Sequence, residues 1–397
     1  MRKASDTTRF THSHQATSQV PAGAGDLLGP STLGPLVLPN RIVMAPLTRS
    51  RADRNGVPSP LAPEYYAQRA GAGLIISEAA TVSRQGTGYD NGPGLYTDEQ
   101  AAGWQAVTEA VHGAGGRIFV QLFHVGRMSH PAFQEGGLPV GASAVAAGAA
   151  TEHYGGTYSF TRPRSLQITE LAGIAGQFRA AAERALAARF DGVEVHAANG
   201  YLLDQFLQDG ANRRTDRYGG TPAGRTRLLR EVVAAVTDVW GADRVGVRIS
   251  PLNPTNGMHD SDPAATFTRA AQDLDRLGVA YLHVVEPGVN GTLSEPAHLK
   301  SPYLGSRFFR LLFSRTIIAA GGHTARTGAA RIERGDADLI AYGKLFISNP
   351  DLPARLACGA PLKEPDRATF YGGGAEGYTD YPTLAQTAAR AAGRPAA

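Results

Sequence analysis

Residues 192–201 read Gly192-Val-Glu-Val-His196-Ala-Ala-Asn199-Gly-Tyr201. A short apolar run, Gly192–Val195, ends abruptly in side chains suited to chemistry rather than packing. Seven other segments repeat this design: Ile42–Pro46, Leu74–Ser77, Ile118–Leu122, Val245–Ile249, Tyr281–Val285, Thr316–Ala319 and Leu339–Tyr342. The eight runs end in, or run into, Thr48, Ala79, Gln121, His196, Arg248, Glu286, Gly321 and Gly343. Most are separated by stretches of helical period, such as Leu171, Ile174 and Phe178, or Leu228, Val232 and Val236. Alternating β and α segments of this kind predict a (β/α)₈ TIM barrel, an α/β fold whose active site sits at the strand C-terminal ends. The eight ends then become neighbours around one mouth.

Working outward, Thr32–Asn40 predicts an N-terminal hairpin that caps the bottom of the barrel. Thr97 with Gln100 forms a capping box, and Thr169 is read as the cap of the helix that follows strand 3. The stretch from Phe123 to Gln167 is the longest connection. It carries Tyr154, Tyr158 and Phe160 and is expected to be a lid over the mouth, with short strands of its own. Residues 1–24 are expected to be a disordered tail, 25–385 the barrel, and 386–397 a flexible C-terminal tail.

Bulk composition excludes several classes. The chain has 397 residues with 42% hydrophobic, enough for one large domain with a buried core. A net charge of only +4, with acids and bases mixed, gives no basic stripe for nucleic acid. No run approaches roughly 20 apolar residues, so no membrane helix is expected. The one cysteine, Cys358, permits no internal disulfide and no thiolate metal cluster, which points to a reducing, cytoplasmic setting. No metal is expected, and the assembly is expected to be a monomer or homodimer.

The strand ends carry the chemistry. His196 and Asn199 both offer N–H donors at a spacing that lets them converge on one oxygen, as stabilisation of an enolate requires. Tyr201 adds a neutral acid. Arg248, inside a barrel strand, needs an anion or an electron-rich ring; a salt bridge to Glu194 or Glu286 is the alternative. Gln121 presents donor and acceptor together, matching the edge of a flavin pyrimidine ring, and Thr48 offers a hydroxyl. Gly321-Gly322 and Gly343-Lys344 follow strands 7 and 8, where barrels bind phosphate. Phe370 and Tyr371 can face a flat ligand; Phe370 reads equally well as an aromatic anchor.

These residues lie in long motifs: Pro39-Asn-Arg-Ile-Val-Met-Ala-Pro46-Leu-Thr48-Arg-Ser-Arg51, Val120-Gln-Leu-Phe-His-Val-Gly-Arg127, His196-Ala-Ala-Asn-Gly-Tyr-Leu-Leu203, Phe346-Ile-Ser-Asn-Pro-Asp-Leu352 and Phe370–Pro382. Together they closely resemble the old yellow enzyme family of FMN-dependent ene-reductases, from about Leu27 to Leu384. The resemblance implies non-covalent FMN, NADPH or NADH as reductant, and a small enone or enal substrate in a ping-pong hydride transfer. It implies catalytic roles for His196, Asn199 and Tyr201. It implies cofactor contacts at Pro46, Thr48, Ala79, Gln121, Arg248, Gly321, Gly322, Gly343 and Lys344, and pocket walls at Phe123, Phe370 and Tyr371. Two positions depart from the family pattern, which usually has Trp at Phe123 and Arg at Lys344. The rival readings are a related isomerase or oxidase acting on a natural-product enone, a non-catalytic flavin-binding barrel, and a flavin-free phosphate-binding barrel.

Overall fold

The computed structural model describes residues 25–148, 159–286 and 304–391. Eight parallel strands close into a barrel in chain order. They are β1 (Ile42–Met44), β2 (Leu74–Thr81), β3 (Ile118–Phe123), β4 (Gly192–Ala197), β5 (Val245–Ile249), β6 (Tyr281–Val285), β7 (Thr316–Ala320) and β8 (Leu339–Tyr342). The main outer helices are α1 (Ala62–Ala67), α2 (Asp98–Gly113), α3 (Leu171–Ala187), α4 (Arg227–Trp240), α5 (Pro263–Leu277), α6 (Ser306–Arg310), α7 (Ala325–Glu333) and α8 (Leu352–Cys358). The expected TIM barrel is the observed fold.

Outside the barrel, helix stripes such as Trp104, Val107 and Val111, or Leu228, Val232 and Val236, bury against the strands. Trp240 locks two helices together, its indole N–H donating to Ala182 O at 2.9 Å. Inside, the lower barrel is filled by rings. A Cβ on Gly246 would lie 1.9 Å from the Tyr281 ring, and one on Gly192 would lie 2.4 Å from Phe119. Both glycines are therefore required by close approach. The hairpin of Ser31–Leu33 and Leu36–Leu38 seals this end. Its Leu33, Leu36 and Leu38 join Val43, Leu74, Phe119, Tyr281 and Leu339 in one buried cluster, each leucine worth roughly 1.5–3 kcal/mol.

The connection from β3 to α3 lies at the other end. Its strands Val140–Gly141 and Arg164–Ser165 pair in parallel, as expected of a loop with structure of its own. Tyr154 and Tyr158 lie outside the described residues. Arg127 braces the connection, donating to Val145 O at 3.2 Å and to Asn256 O at 3.0 Å.

Two expectations are corrected. Thr169 is exposed and caps nothing; a short 3₁₀ turn, Ile168–Glu170, precedes α3, and there the Gln167 N–H donates to the Glu170 carboxylate at 2.7 Å. Of the segment expected to be a tail from residue 386, the described part is helical, since Leu384–Ala391 is one continuous helix; residues 392–397 lie outside the described ones. Thr383 and Gln386 cap it reciprocally, at 2.9 and 3.2 Å. Residues 1–24 lie outside the described ones.

Candidate active site

Barrel register brings the predicted residues together. In parallel strands, paired residues face the same way. His196 pairs with Arg248, Arg248 with His283, and Gln121 with Glu194. Glu194 and His196 are two apart on β4, so both point inward. The result is a polar layer above the ring-filled floor.

Glu194 anchors that layer. Its carboxylate accepts from Gln121 Nε2 at 2.6 Å, from Tyr281 OH at 3.1 Å, and faces His283 Nδ1 at 2.8 Å. Burial works against its charge, but His283, Arg248 and Gln121 hold its pKa below the ordinary value. Arg248 forms an ion pair with neither Glu194 nor Glu286, whose close partners are other groups. Its Nε is buried without a hydrogen-bond partner.

His196 is 3% exposed, and its Nδ1 is likewise buried and unpartnered. Burial, then Arg248 and His283, push its pKa well below the ordinary histidine value. The imidazole is therefore neutral, with one N–H to give. Asn199 follows at φ 57°, a left-handed conformation that asparagine tolerates better than most residues. Its backbone N–H donates to Ser250 Oγ at 2.7 Å, and its Oδ1 accepts from Asn253 at 2.9 Å. That leaves the Asn199 amide nitrogen as a donor.

Tyr201 stands over His196, with ring centroids 5.1 Å apart. Its hydroxyl lies 2.8 Å from that of Tyr89. Burial raises the Tyr201 pKa, partly opposed by Tyr89 and Arg248. Phe123 packs edge-on to Tyr201 at 5.2 Å and stacks against His196 at 6.2 Å. Ala79, Tyr89, Val125, Met128 and Ala147 complete this apolar wall, with Phe160 against it.

The remaining predicted residues occupy the same rim. Pro46 and Thr48 follow β1 and are half-buried. Gly321 and Gly322 follow β7, and Gly343 and the exposed Lys344 follow its neighbour β8. Gly322 has φ +66°, which favours glycine. A Cβ on Gly321 would meet Glu286 at 3.1 Å, and one on Gly343 would meet Leu47 at 3.3 Å. Phe370 contacts Tyr371 edge-on at 6.2 Å, and Tyr371 is half exposed.

Two features escaped the sequence reading. Tyr89 lies in a glycine-rich loop, with only its ring as a signal. Arg49 and Arg51 clamp the 369–377 loop. Arg49 donates to Phe370 O at 2.9 Å and Gly377 O at 2.7 Å, and Arg51 to Gly374 O and Glu376 O at 3.1 Å each.

The donor set fits a flavin. Buried, unpartnered Arg248 Nε and His196 Nδ1 face a layer with an amide at Gln121, and side-chain-free backbone lies where phosphate would sit. Comparison with known proteins decides the matter. The profile of the NADH:flavin oxidoreductase / NADH oxidase family matches residues 26–363. The chain belongs to the old yellow enzyme family. Among its relatives, 12-oxophytodienoate reductase 1 of Oryza sativa subsp. japonica is 43% identical, covering 94% of this chain and 96% of that protein. Chanoclavine-I aldehyde reductase of Penicillium roqueforti is also 43% identical, covering 91% and 97%. The structure of morphinone reductase superposes with a TM-score of 0.85 at 47% identity, covering 91% and 97% of the two chains. That of the old yellow enzyme homologue from Zymomonas mobilis gives 0.86 at 42%, covering 90% and 100%. As a member of this family the protein is an FMN-dependent oxidoreductase. Among the described residues no helix is long and apolar enough to cross a membrane, and no histidine–carboxylate group could hold a metal.

Proposed function

We propose that the protein is a cytoplasmic NADPH-dependent ene-reductase, a monomer or homodimer, that reduces the C=C bond of small α,β-unsaturated carbonyl compounds. One observation carries this reading. A neutral imidazole and a free amide donor lie on one turn beneath a phenol whose hydroxyl lies 2.8 Å from that of a second phenol. The relatives named as reductases of an oxophytodienoate, an aldehyde and morphinone support it.

When bound, FMN supplies two-electron chemistry, accepting hydride from a reduced nicotinamide and giving hydride to an activated alkene. Thr48, Ala79, Gln121 and Arg248 would hold its ring edge, with Pro46 beside them. Gly321, Gly322, Gly343 and Lys344 would hold its phosphate. His196 and Asn199 grip the substrate carbonyl oxygen, and their hold strengthens as negative charge builds there. Tyr201 gives its phenolic proton to the α-carbon. The Tyr89 hydroxyl is placed to donate to the phenolate left behind. Phe123, Phe370 and Tyr371 wall the pocket and exclude water. Because one pocket serves reductant and substrate, they bind in turn.

The test is an anaerobic spectrum of the FMN-loaded protein. NADPH is expected to bleach the flavin, and a panel of enones to restore it. Bleaching without enone-driven recovery sinks the reductase reading, and absence of bleaching sinks it earlier.

A further inference from the structure

The long connection from β4 to α4, with the N-terminal halves of α4 and α5, lines an open polar cleft of about 540 Å³. It lies outside the flavin site. Four guanidiniums line it, from Arg217, Arg227, Arg230 and Arg269, against one carboxylate, Asp216. Asp216 is already chelated by Arg214, at 3.1 and 2.5 Å.

The charge behind the wall does not balance either. Asp273, 3% exposed, is shared by Arg230 at 3.4 Å, Arg269 at 2.9 Å and Arg276. Arg227 pairs with the half-exposed Glu231 at 3.6 Å and lies over the Tyr218 ring at 5.8 Å. The Arg227 Nε is buried without a hydrogen-bond partner, while the Arg230 Nε faces the shared Asp273 Oδ2 at 3.4 Å without a well-formed hydrogen bond. Guanidiniums gathered along one cleft repel one another, and a buried N–H without an acceptor costs about 1–3 kcal/mol. A tetrahedral oxyanion relieves both, and forked arginine donors match its geometry.

The cleft is also wired to the mouth. Arg214, which holds Asp216, donates to Ala142 O at 3.1 Å and Leu166 O at 2.6 Å. Both carbonyls belong to the connection that overhangs the active site. The Arg213 N–H donates to Ser143 Oγ there at 2.9 Å.

We propose that this cleft is an anion site that takes a phosphate group, either inorganic or carried by the dinucleotide reductant. The dinucleotide arm rests on the reductase reading; phosphate binding itself does not. Calorimetric titration of the FMN-loaded full chain with inorganic pyrophosphate, at constant ionic strength, is expected to show one saturable site. Arg217→Ser and Arg230→Gln should each weaken it about tenfold or more, the loss of one charge-assisted contact. Flavin content and circular dichroism report whether each variant stays folded. Arg217 is exposed, so its variant carries the test should Arg230→Gln fail to fold. No saturable uptake by the natural protein, or unchanged affinity in the folded variants, overturns the proposal. Competition with NADPH but not with a simple N-benzyl dihydronicotinamide assigns the site to the dinucleotide. Uptake without competition assigns it to inorganic phosphate.

Discussion

The two phenols above β4 set the most direct test at the scale of single residues. Tyr201→Phe should leave NADPH-driven flavin reduction intact and slow the enone half-reaction by about 10²-fold or more, the usual worth of a positioned acid. Tyr89→Phe should slow it less and move its alkaline limb to higher pH. The Tyr89 hydrogen bond lowers the Tyr201 pKa, so losing it raises that pKa further. Rapid-mixing kinetics across pH separates the two, and an unmoved limb would leave Tyr89 as packing. Replacing His196 and Asn199 together with Ala removes both donors to the bound oxygen, each worth roughly 1.5–3 kcal/mol to a charged acceptor. Phenols that mimic an enolate should then lose tight binding, read by the long-wavelength band they give with flavin; a band at unchanged affinity would clear these residues of the role. Phe123 touches both His196 and Tyr201, so Phe123→Trp should lower kcat/KM for bulky enones more than for 2-cyclohexenone. Equal losses would mean that Phe123 does not set pocket size.

Elements show where sequence reading succeeds and where it stops. The eight strand ends were legible because a short apolar run marks each strand, and the barrel rule converts chain order into adjacency. The Thr97–Gln100 box was legible because its partners are three residues apart, and both of its bonds form. The Thr383–Gln386 box has the same spacing but lies in an Ala-rich stretch that reads as a tail. In β2 the apolar run reads only to Ser77, where the polar pair Ser77-Glu78 interrupts it, but the strand continues to Thr81 through a register shift between Ile76 and Ala79. The Glu78 carboxylate accepts from the N–H groups of Arg49 and Ser50, at 3.0 and 3.3 Å. That pins the β1 exit loop, and no local pattern announces it. The Arg49 clamp is hidden for a related reason: its acceptors are backbone carbonyls about 320 residues away, and any residue supplies a carbonyl. Arg49→Met would take the Arg49 donor from Gly377 O and the Tyr65 hydroxyl, and would leave Phe370 O and Thr369 O to Arg51. It should cost about 3 kcal/mol or more in urea unfolding, given what hydrogen bonds to a charged group contribute. Tyr371 should lose its place at the pocket, raising KM for enones while FMN stays bound. Unchanged stability and KM would show that the loop is held by its aromatic packing instead.

For the whole molecule, two buried carboxyls push stability in opposite directions with pH. Glu286 closes the β6 end; Ser306 donates to it through N–H and Oγ at 2.9 and 2.7 Å, and His323 and Arg331 face it at 3.3 Å. Burial opposes its charge, yet these partners bring its pKa down to about 2. A depressed carboxyl contributes stability above its unfolded value, near 4.5, and loses it as pH falls toward 2. Asp204 lies beneath the 199–201 turn, accepting from Gly200 N and Gln208 Nε2 at 2.8 Å each. Burial outweighs those donors and raises its pKa to about 7. A raised carboxyl has the reverse sign: its contribution is complete below the unfolded value, near 3.8, and is lost as pH climbs to 7. The span of the Asp204 shift corresponds to about 4 kcal/mol at most. Stability should therefore peak on the acid side of neutrality, near pH 4, where the two windows meet. Asp204→Asn, which cannot ionise, should flatten the decline from pH 4 to 7 while leaving the acid limb in place. Glu286→Gln should do the opposite, flattening the fall below pH 4.5. Urea midpoints of the FMN-loaded protein across pH 3–8 read both slopes. A decline above pH 4 that survives in Asp204→Asn would place the titrating group elsewhere.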